Sequence, residues 1–501
     1  MVQSSIKTGA IISYISILLN ILISLIYTPW MIHEIGMSDY GIYSLIVSFL
    51  SYFILDFGLG SAISRFIARY RADNNAEGIN KIFSIATVVY ACLSLFIGVI
   101  LVVLYFFLEG IFVKLTLNEI EVLKSVYIIA GFFSICNFSL KPYDGALMAF
   151  EYFVPLKCLD LTVRVGTVLL ISIALLFGGD VYWLVFINGA VAMIVSCIKI
   201  AFLYRKEHIT INIRLFDKPI AKGLFGFSVW VFLINIAQRL RLNIVPTILG
   251  IFCGTTEISI FAVGMNLEGF IYNFTNALNG LFIPKVSRMV KSPNAQKEIM
   301  NLMIKVGRIQ LLVVGFIIFG LFGLGHSFIY LWIGDSFYNT YYVMVLLVSV
   351  NLISMTQHIG TTLSYVINEV KYNSIFAIST SLVSLLISII LAPRWGAIGC
   401  GMAVFIALTL NIILLNIFYS KKLYLDIGVF FRKCHAKILP FQIALLIVLI
   451  YIDQTGIISN WGWLIAIGGF YTIIFAFTMY CFVMNDEEKM MVNQIINKIW
   501  K

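Results

Sequence analysis

Apolar runs of about 20 residues recur along the chain, with short polar segments between them. A helix of that length crosses the hydrocarbon core of a bilayer, whereas a membrane strand shows about ten residues of alternating polarity. The pattern therefore predicts an all-α polytopic membrane protein with about 14 transmembrane helices. The predicted spans are residues 8–30, 40–62, 82–108, 125–150, 158–178, 181–204, 223–250, 258–282, 306–330, 341–367, 375–392, 397–419, 436–452 and 461–484.

The positions of the basic residues test this map. When the predicted spans alternate in direction, 26 of the 34 Lys and Arg residues lie on the side that holds both termini, and three lie on the other side. Cytoplasmic loops carry such an excess of basic residues. The distribution predicts an even number of spans and both termini in the cytoplasm. It also assigns the net charge of +10 to topology and to contact with membrane lipids, not to nucleic-acid binding.

The composition excludes a soluble enzyme. Apolar residues make up 61% of the chain and charged residues 12%, whereas a soluble domain has about 25% charged residues. No predicted loop is long enough for a catalytic domain, and the absence of a Gly-Lys dipeptide excludes a Walker A phosphate loop. The eight cysteines are isolated, without a Cys-x-x-Cys motif, so we expect small apolar side chains and no metal site or cofactor.

A weak internal repeat relates the segments that follow the first and seventh spans. The aligned pairs, 218 residues apart, are Gly36 with Gly254, Asp39 with Glu257, and Tyr43 with Phe261. The repeat predicts two six-helix lobes with two further spans. Since six is even, both lobes enter the membrane from the same side, and the substrate path is expected between them.

The predicted domains follow from this repeat. They are an N-lobe of spans 1–6 (1–204), a cytoplasmic linker (205–222), a C-lobe of spans 7–12 (223–419), spans 13–14 (420–484) and a cytoplasmic amphipathic tail (485–501).

Two arginines lie deep in the seventh span. Arg239 follows Asn235 by four residues, and Arg241 follows Gln238 by three, so the two arginines lie on different helix faces. One hypothesis is a cationic substrate site, because Arg binds phosphate through two parallel hydrogen bonds. The alternative is an interhelical ion pair or a side chain that reaches the interface. We favour Arg239 for the lumen, since Asn235 extends its polar face.

The fourth span contains Lys141-Pro142-Tyr143-Asp144. Lys141 and Asp144 can pair at a spacing of three residues, and Pro142 is expected to loosen the helix. The motif is either a self-neutralised pair at a kink or a gate or cationic site.

Other charged residues fall inside the apolar segments. Asp56 in span 2 and Glu268 in span 8 are candidates for proton carriers or for counter-ions of the basic residues. Asp160 and Arg164, four residues apart in span 5, are expected to pair with each other. Lys199 in span 6 is expected to extend towards the interface.

Span 8 is rich in asparagine. Asn266, Asn273 and Asn276 lie close to one helix face. Their amides could contact sugar hydroxyls, or they could hold neighbouring helices together.

The chain resembles a known family at several motifs. The N-terminal motifs are residues 36–45 (GMSDYGIYSL) and residues 55–60 (LDFGLG), followed by Arg65. Further motifs are residues 227–230 (FSVW) with Gln238, Pro284, and residues 395–399 (WGAIG). They resemble polysaccharide-unit flippases of the Wzx type, in the multidrug/oligosaccharidyl-lipid/polysaccharide (MOP) exporter superfamily. Asn243 stands where that family often has Asp.

The resemblance implies a fold like that of multidrug and toxin extruders, with a cationic lumen and alternating access. It implies flipping of a polyprenyl-pyrophosphate-linked oligosaccharide to the outer leaflet of the bacterial inner membrane, for surface polysaccharide such as O-antigen or capsule. The lipid-linked oligosaccharide, membrane lipids, a polysaccharide polymerase and chain-length proteins are the candidate partners. Arg239, Arg241, Lys141 and Gln238 are then the candidate pyrophosphate-binding residues, with Asp144 a further proton or counter-ion candidate.

Two other functions remain as alternatives. A cation-coupled multidrug antiporter of the same fold would need an acidic and aromatic site. Asp56 and Glu268 could provide the acidic groups, whereas Lys141, Arg239 and Arg241 argue against such a site. A membrane-embedded glycosyltransferase or polymerase would need a long loop with clustered acids, and the sequence has none.

The predicted topology has a direct test. Single cysteines at Asp180 and Asn460 should react with an impermeant thiol reagent on intact cells, whereas cysteines at Ala76 and Asn294 should react only after permeabilisation. Reaction at position 76 or 294 in intact cells would contradict the map.

Overall fold

The computed structural model describes residues 2–52, 59–73, 75–207, 232–276 and 282–499, and these are helical almost throughout, without a β-strand. The first eight helices are α1 (Val2–Leu50), α2 (Leu59–Ala72), α3 (Ala76–Tyr105), α4 (Leu108–Ile111), α5 (Leu117–Ser139), α6 (Pro142–Ala149), α7 (Phe153–Leu176) and α8 (Val181–Glu207).

The second part of the chain begins with helical residues 232–238 and a π-helical turn, Arg239–Asn243. The helices that follow are α9 (Ile244–Phe252), α10 (Thr255–Asn276), α11 (Ile283–Met289), α12 (Ala295–Ile333), α13 (Thr340–Ser349), α14 (Asn351–Ser354), α15 (His358–Val366), α16 (Val370–Lys421), α17 (Ile427–Cys434), α18 (Leu439–Gln454), α19 (Trp461–Thr478) and α20 (Asp486–Ile499).

The helices confirm the prediction of an all-α polytopic membrane protein. Eight stretches of the described chain are long and apolar enough to cross a membrane, or nine when α17 and α18, which are bent by 50°, count as one span. Every predicted span overlaps a helix. Two predicted spans share α1 and two share α16, because each of these helices continues through a single non-helical glycine, Gly36 and Gly396 respectively.

Glycines with positive φ recur at the spacing of the sequence repeat. Gly36 and Gly254 have φ of 82° and 105°. The same offset of 218 residues relates Gly178 and Gly396, whose φ values are 80° and 52°. An L side chain is disfavoured in this region of φ, so glycine is the residue that permits these sharp turns. The second pair adds to the repeat seen in the sequence, and the division into two six-helix lobes stays a prediction.

The two segments that begin after Gly36 and Gly254 touch at equivalent positions. The Ser259 hydroxyl donates a hydrogen bond to the Met37 carbonyl (2.6 Å), and a Cβ atom at Gly41 would overlap the Thr255 carbonyl oxygen. The Glu119 carboxylate accepts hydrogen bonds from the Ser38 and Thr255 hydroxyls, both 2.6 Å long. One carboxylate at the start of α5 therefore ties both segments together.

The described residues group into two compact units. The first is Met1–Ala262 with Ala377–Cys400, and the second is Val263–Phe376 with Gly401–Lys501. In the first unit, α5 and α7 both pack on α8, and α2 packs on α6. In the second unit, α12 lies at the centre of the core and contacts α13, α15, α17, α18 and α19.

The C-terminal segment is anchored by an ion pair in the second unit. Its helix starts at Asp486, as predicted for the tail. Arg308 on α12 donates from Nε and Nη2 to the two carboxylate oxygens of Glu488, at 2.6 and 2.9 Å. Both side chains are only 6% exposed. Beside them, Lys305 bonds to the exposed Glu487 and lowers the pKa of that carboxyl group.

We expect Glu488→Ala to destabilise the second unit by about 3–5 kcal/mol, because it leaves the Arg308 guanidinium buried without a counter-charge. Glu487→Ala is the matched control. It should lower the stability much less, because the Lys305–Glu487 pair is exposed and screened by solvent. Thermal unfolding of the purified proteins in detergent measures both changes. Equal losses in the two variants would contradict the assignment of Glu488 as the anchor.

Candidate functional site

A cavity of about 410 Å³ lies inside the first unit. Three residues singled out from the sequence line it: Lys141, Asp144 and Arg239. Its other polar lining residues are Tyr43, Ser51, Ser134, Asn137, Asn188 and Ser196. The cavity thus combines two cationic side chains with hydroxyl and amide groups, and it has the size of a pocket that holds a small molecule or the head group of a larger one.

The break in the fourth span places Lys141 at the cavity. Helix α5 ends at Ser139, and α6 begins at Pro142. Proline cannot donate a backbone hydrogen bond, so it ends one helix and suits the first position of the next. The expected loosening at Pro142 is therefore confirmed as a helix break. Lys141 occupies the break, with its amino group 6.0 Å from the centre of the Phe138 ring.

The seventh span contains the π-helical turn at its arginines. The backbone N–H of Ile244 donates to the carbonyl of Arg239, a bond between residues five apart instead of four. Such wide turns occur mostly as single turns within α-helices, often at functional sites. Pro246, two residues further on, lacks a backbone N–H and contributes to the irregularity.

Two side chains from other segments of the chain supply hydrogen bonds at the ends of the wide turn. Before it, the Ser381 hydroxyl donates to the Ala237 carbonyl at 2.7 Å. After it, the Tyr52 hydroxyl donates to the Asn243 carbonyl and lies 2.9 Å from the Thr247 hydroxyl. An irregular backbone inside a membrane persists only where such partners replace the missing helix bonds. The turn that carries Arg239 is thus fixed at both ends.

The two arginines of this turn have different surroundings, as their positions on different helix faces led us to expect. Arg239 lines the cavity and is half-buried. Within the described chain, no carboxylate lies within 4 Å of it. Arg241 is also half-buried but does not line the cavity, and Gln238 is exposed. Of the three, Arg239 is the residue that can present a positive charge to the cavity.

Asp144 is paired, but not with Lys141. Its carboxylate accepts a hydrogen bond from Lys199 on α8 at 2.8 Å, and Lys199 also donates to Asp160 on α7 at 2.9 Å. Lys199 is only 7% exposed, so the expectation that it extends towards the interface is wrong. The expected Asp160–Arg164 pair is wrong too, because Arg164 bonds to the Ser24 hydroxyl. Helix-to-helix contacts replace both local pairs.

The remaining candidates lie away from this cavity or outside the described residues. Glu268 and the asparagines belong to α10. Glu268 accepts a hydrogen bond from Asn351 at 3.1 Å inside the second unit. Asn266 is half-buried and Asn273 is exposed. The side chain of Asn276 and the whole of Asp56 lie outside the described residues, so their roles stay predictions.

Sequence reasoning missed two cavity amides. Asn137 donates to the Gly189 carbonyl at 3.3 Å, and Asn188 donates to the Tyr43 hydroxyl at 3.2 Å. Asn137 precedes Lys141 by four residues, a spacing that places both on one helix face. That spacing could have added Asn137 to the candidates, whereas Asn188 lies in span 6 without a polar neighbour at helical spacing.

A protein-family model described as "Polysaccharide biosynthesis protein" matches residues 6–290, which is more than half of the chain. Comparison with curated protein sequences gave no match.

Several solved structures share the fold. The lipid II flippase MurJ, in an inward closed conformation, is similar over 96% of this chain and 98% of its own, with a TM-score of 0.66 and 16% identity. An inward-facing multidrug resistance transporter of the MATE family in the MOP superfamily is similar over 82% and 98%, with a TM-score of 0.64 and 15% identity. A eukaryotic MATE transporter is similar over 87% and 97%, with a TM-score of 0.62 and 14% identity. At these identities the likeness concerns the fold.

We predict that Tyr52→Phe lowers both stability and transport. Loss of the hydroxyl leaves the Asn243 carbonyl without this donor, at a cost of about 1–2 kcal/mol, and loosens the turn that holds Arg239. Tyr127→Phe is the matched control, because Tyr127 also donates to a carbonyl, that of Leu101, which does not belong to the turn that holds Arg239. Both variants should lose similar stability in detergent, and only Tyr52→Phe should reduce transport. An equal effect on transport would contradict a role for the turn.

Proposed function

Because the chain belongs to the polysaccharide biosynthesis protein family of the MOP exporter superfamily, we propose that it transports a polyprenyl-pyrophosphate-linked oligosaccharide. The chain is a multi-pass membrane transporter. In this proposal it moves a repeat unit from the cytoplasmic to the outer leaflet of the bacterial inner membrane, for assembly of surface polysaccharide such as O-antigen or capsule. The observation that carries the proposal is the cavity with Arg239, which has no carboxylate within 4 Å in the described chain, and Lys141.

The chemistry of the substrate fits this cavity. A pyrophosphate diester carries two negative charges and cannot cross about 30 Å of hydrocarbon without replacement of its hydration shell. Arg239 offers a planar guanidinium that binds two phosphate oxygens at once, and Lys141 adds a second positive charge. The amides of Asn137 and Asn188 and the hydroxyls of Ser134 and Ser196 suit sugar hydroxyls. The polyprenyl chain has no need of a polar site, since it dissolves in the lipid.

Other parts of the proposal rest on the sequence. The distribution of basic residues assigns both termini to the cytoplasm. The internal repeat assigns the substrate path to the space between the two predicted lobes. Glu268 and Asp56 are assigned as proton carriers or counter-ions, and the asparagines of α10 as further sugar contacts. The polymerase and chain-length proteins are the proposed partners.

The described part of the cavity disfavours a drug-cation antiporter. A cationic drug needs an uncompensated acid, and Asp144, which lines the cavity, is already paired with Lys199. Arg239, which also lines the cavity, would repel such a substrate.

We expect Arg239→Ala to reduce surface polysaccharide at least about tenfold, since the fixed charge and both hydrogen bonds to the pyrophosphate are lost. Arg239→Lys should keep part of the activity, because it preserves the charge but not the planar fork. The measurement is surface polysaccharide in cells that lack the native gene and carry each variant, with equal protein levels.

Arg164→Ala provides the control for loss of a positive charge inside a span. Arg164 bonds to Ser24 and does not line the cavity, so this variant should retain most of the polysaccharide. Normal polysaccharide with Arg239→Ala, at normal protein level, would reject Arg239 as a substrate-binding residue. A comparable loss with Arg164→Ala would show that the effect does not report on the cavity.

A further inference from the structure

Lys199 is a buried cation that joins three helices. It lies on α8, and its amino group donates to Asp144 on α6 and to Asp160 on α7. A charged amine at apolar depth is stable only when such partners replace its water. The three residues carry a net charge of −1, and only one of the two carboxylates faces the cavity.

The two carboxylates have different neighbours. Asp160 has a second cation, since Lys157 lies 3.8 Å from it, and it does not line the cavity. Asp144 lines the cavity together with Lys141 and Arg239. In the part of the chain that the structure describes, Lys199 is the one cation within 4 Å of Asp144. Without Lys199, the charge of Asp144 would act on Arg239, which lines the same cavity.

We propose that Lys199 determines the specificity of the cavity for anions by neutralising Asp144. Lys199 does not line the cavity, so it acts through Asp144 as a positioning residue. With the pair intact, Arg239 gives the cavity a positive potential. With Lys199 removed, Asp144 offsets this charge and repels a pyrophosphate. The inference rests on the proposed function and names a residue that tunes the same site.

The test uses three variants of the full-length protein in detergent: Lys199→Met, Lys199→Met with Asp144→Asn, and Lys199→Met with Asp160→Asn. Farnesyl pyrophosphate, a soluble prenyl pyrophosphate, is the probe, and its affinity is measured by thermophoresis. Lys199→Met should bind at least about tenfold more weakly than the natural chain. Adding Asp144→Asn should restore affinity to within about threefold, whereas adding Asp160→Asn should leave it weak.

The pair of double variants separates charge tuning from a merely structural role. If Lys199 only held α6, α7 and α8 together, removing either carboxylate would relieve the unpaired charge, and both double variants would recover alike. Equal recovery, or undiminished binding by Lys199→Met, would therefore overturn the inference.

A fourth variant keeps the test valid if Lys199→Met does not fold. Asp144→Asn alone leaves Lys199 paired with Asp160 and should bind the probe at least as tightly as the natural chain. Weaker binding would overturn the inference. Arg239→Ala in the same assay separates the two proposals. If Arg239→Ala binds the probe as tightly as the natural chain, the proposed site itself is rejected. If Arg239→Ala loses binding but the two double variants recover equally, only the role of Lys199 is rejected.

Discussion

The cost of placing a charge inside an apolar helix bundle governs much of this structure. An ion without water is tolerated only when protein groups replace its hydration. Arg308 meets that requirement with both oxygens of Glu488 and the carbonyls of Lys433 and Val483. Lys199 meets it with two carboxylates from two helices. The Arg308–Glu488 pair joins helices that are 180 residues apart, and Lys199 links three consecutive helices, so charge compensation also ties helices together.

Among the described residues Arg239 departs from this rule, since none of their carboxylates lies within 4 Å of it, and it lines the cavity. Its backbone lies in a wide helical turn held by Tyr52 at one end and by Ser381 at the other. Fixing a cation in advance lowers the reorganisation needed when an anion arrives. In the proposed function, the same polar contacts that make an irregular membrane helix tolerable therefore also preorganise the backbone that carries Arg239 for anion binding.

The sequence predicted the helices and the cationic residues of the site better than it predicted their partners. Apolar runs and the break at Pro142 depend on neighbours along the chain, so local patterns report them. The partners of Lys199 lie 39 and 55 residues away, and local spacing favoured Asp160–Arg164 and Lys141–Asp144 instead. For the wide turn at Arg239, Pro246 is the one nearby residue whose type indicates an irregular helix. The hydroxyls that stabilise the turn come from Tyr52 and Ser381 on other segments, so local patterns do not report them.

A transporter must release its substrate as well as bind it, which limits how positive its cavity can be. The substrate in the proposed function, a pyrophosphate diester, carries two negative charges, and an excess of fixed cations in the cavity would slow its release. Lys199 is shared between Asp144 and Asp160, so these three residues carry one net negative charge. Lys157 lies beside Asp160 and offsets that charge on the side away from the cavity. In the proposed function, the pairing of Asp144 with Lys199 therefore leaves Arg239 to attract the anion without adding a further positive charge that would hold it.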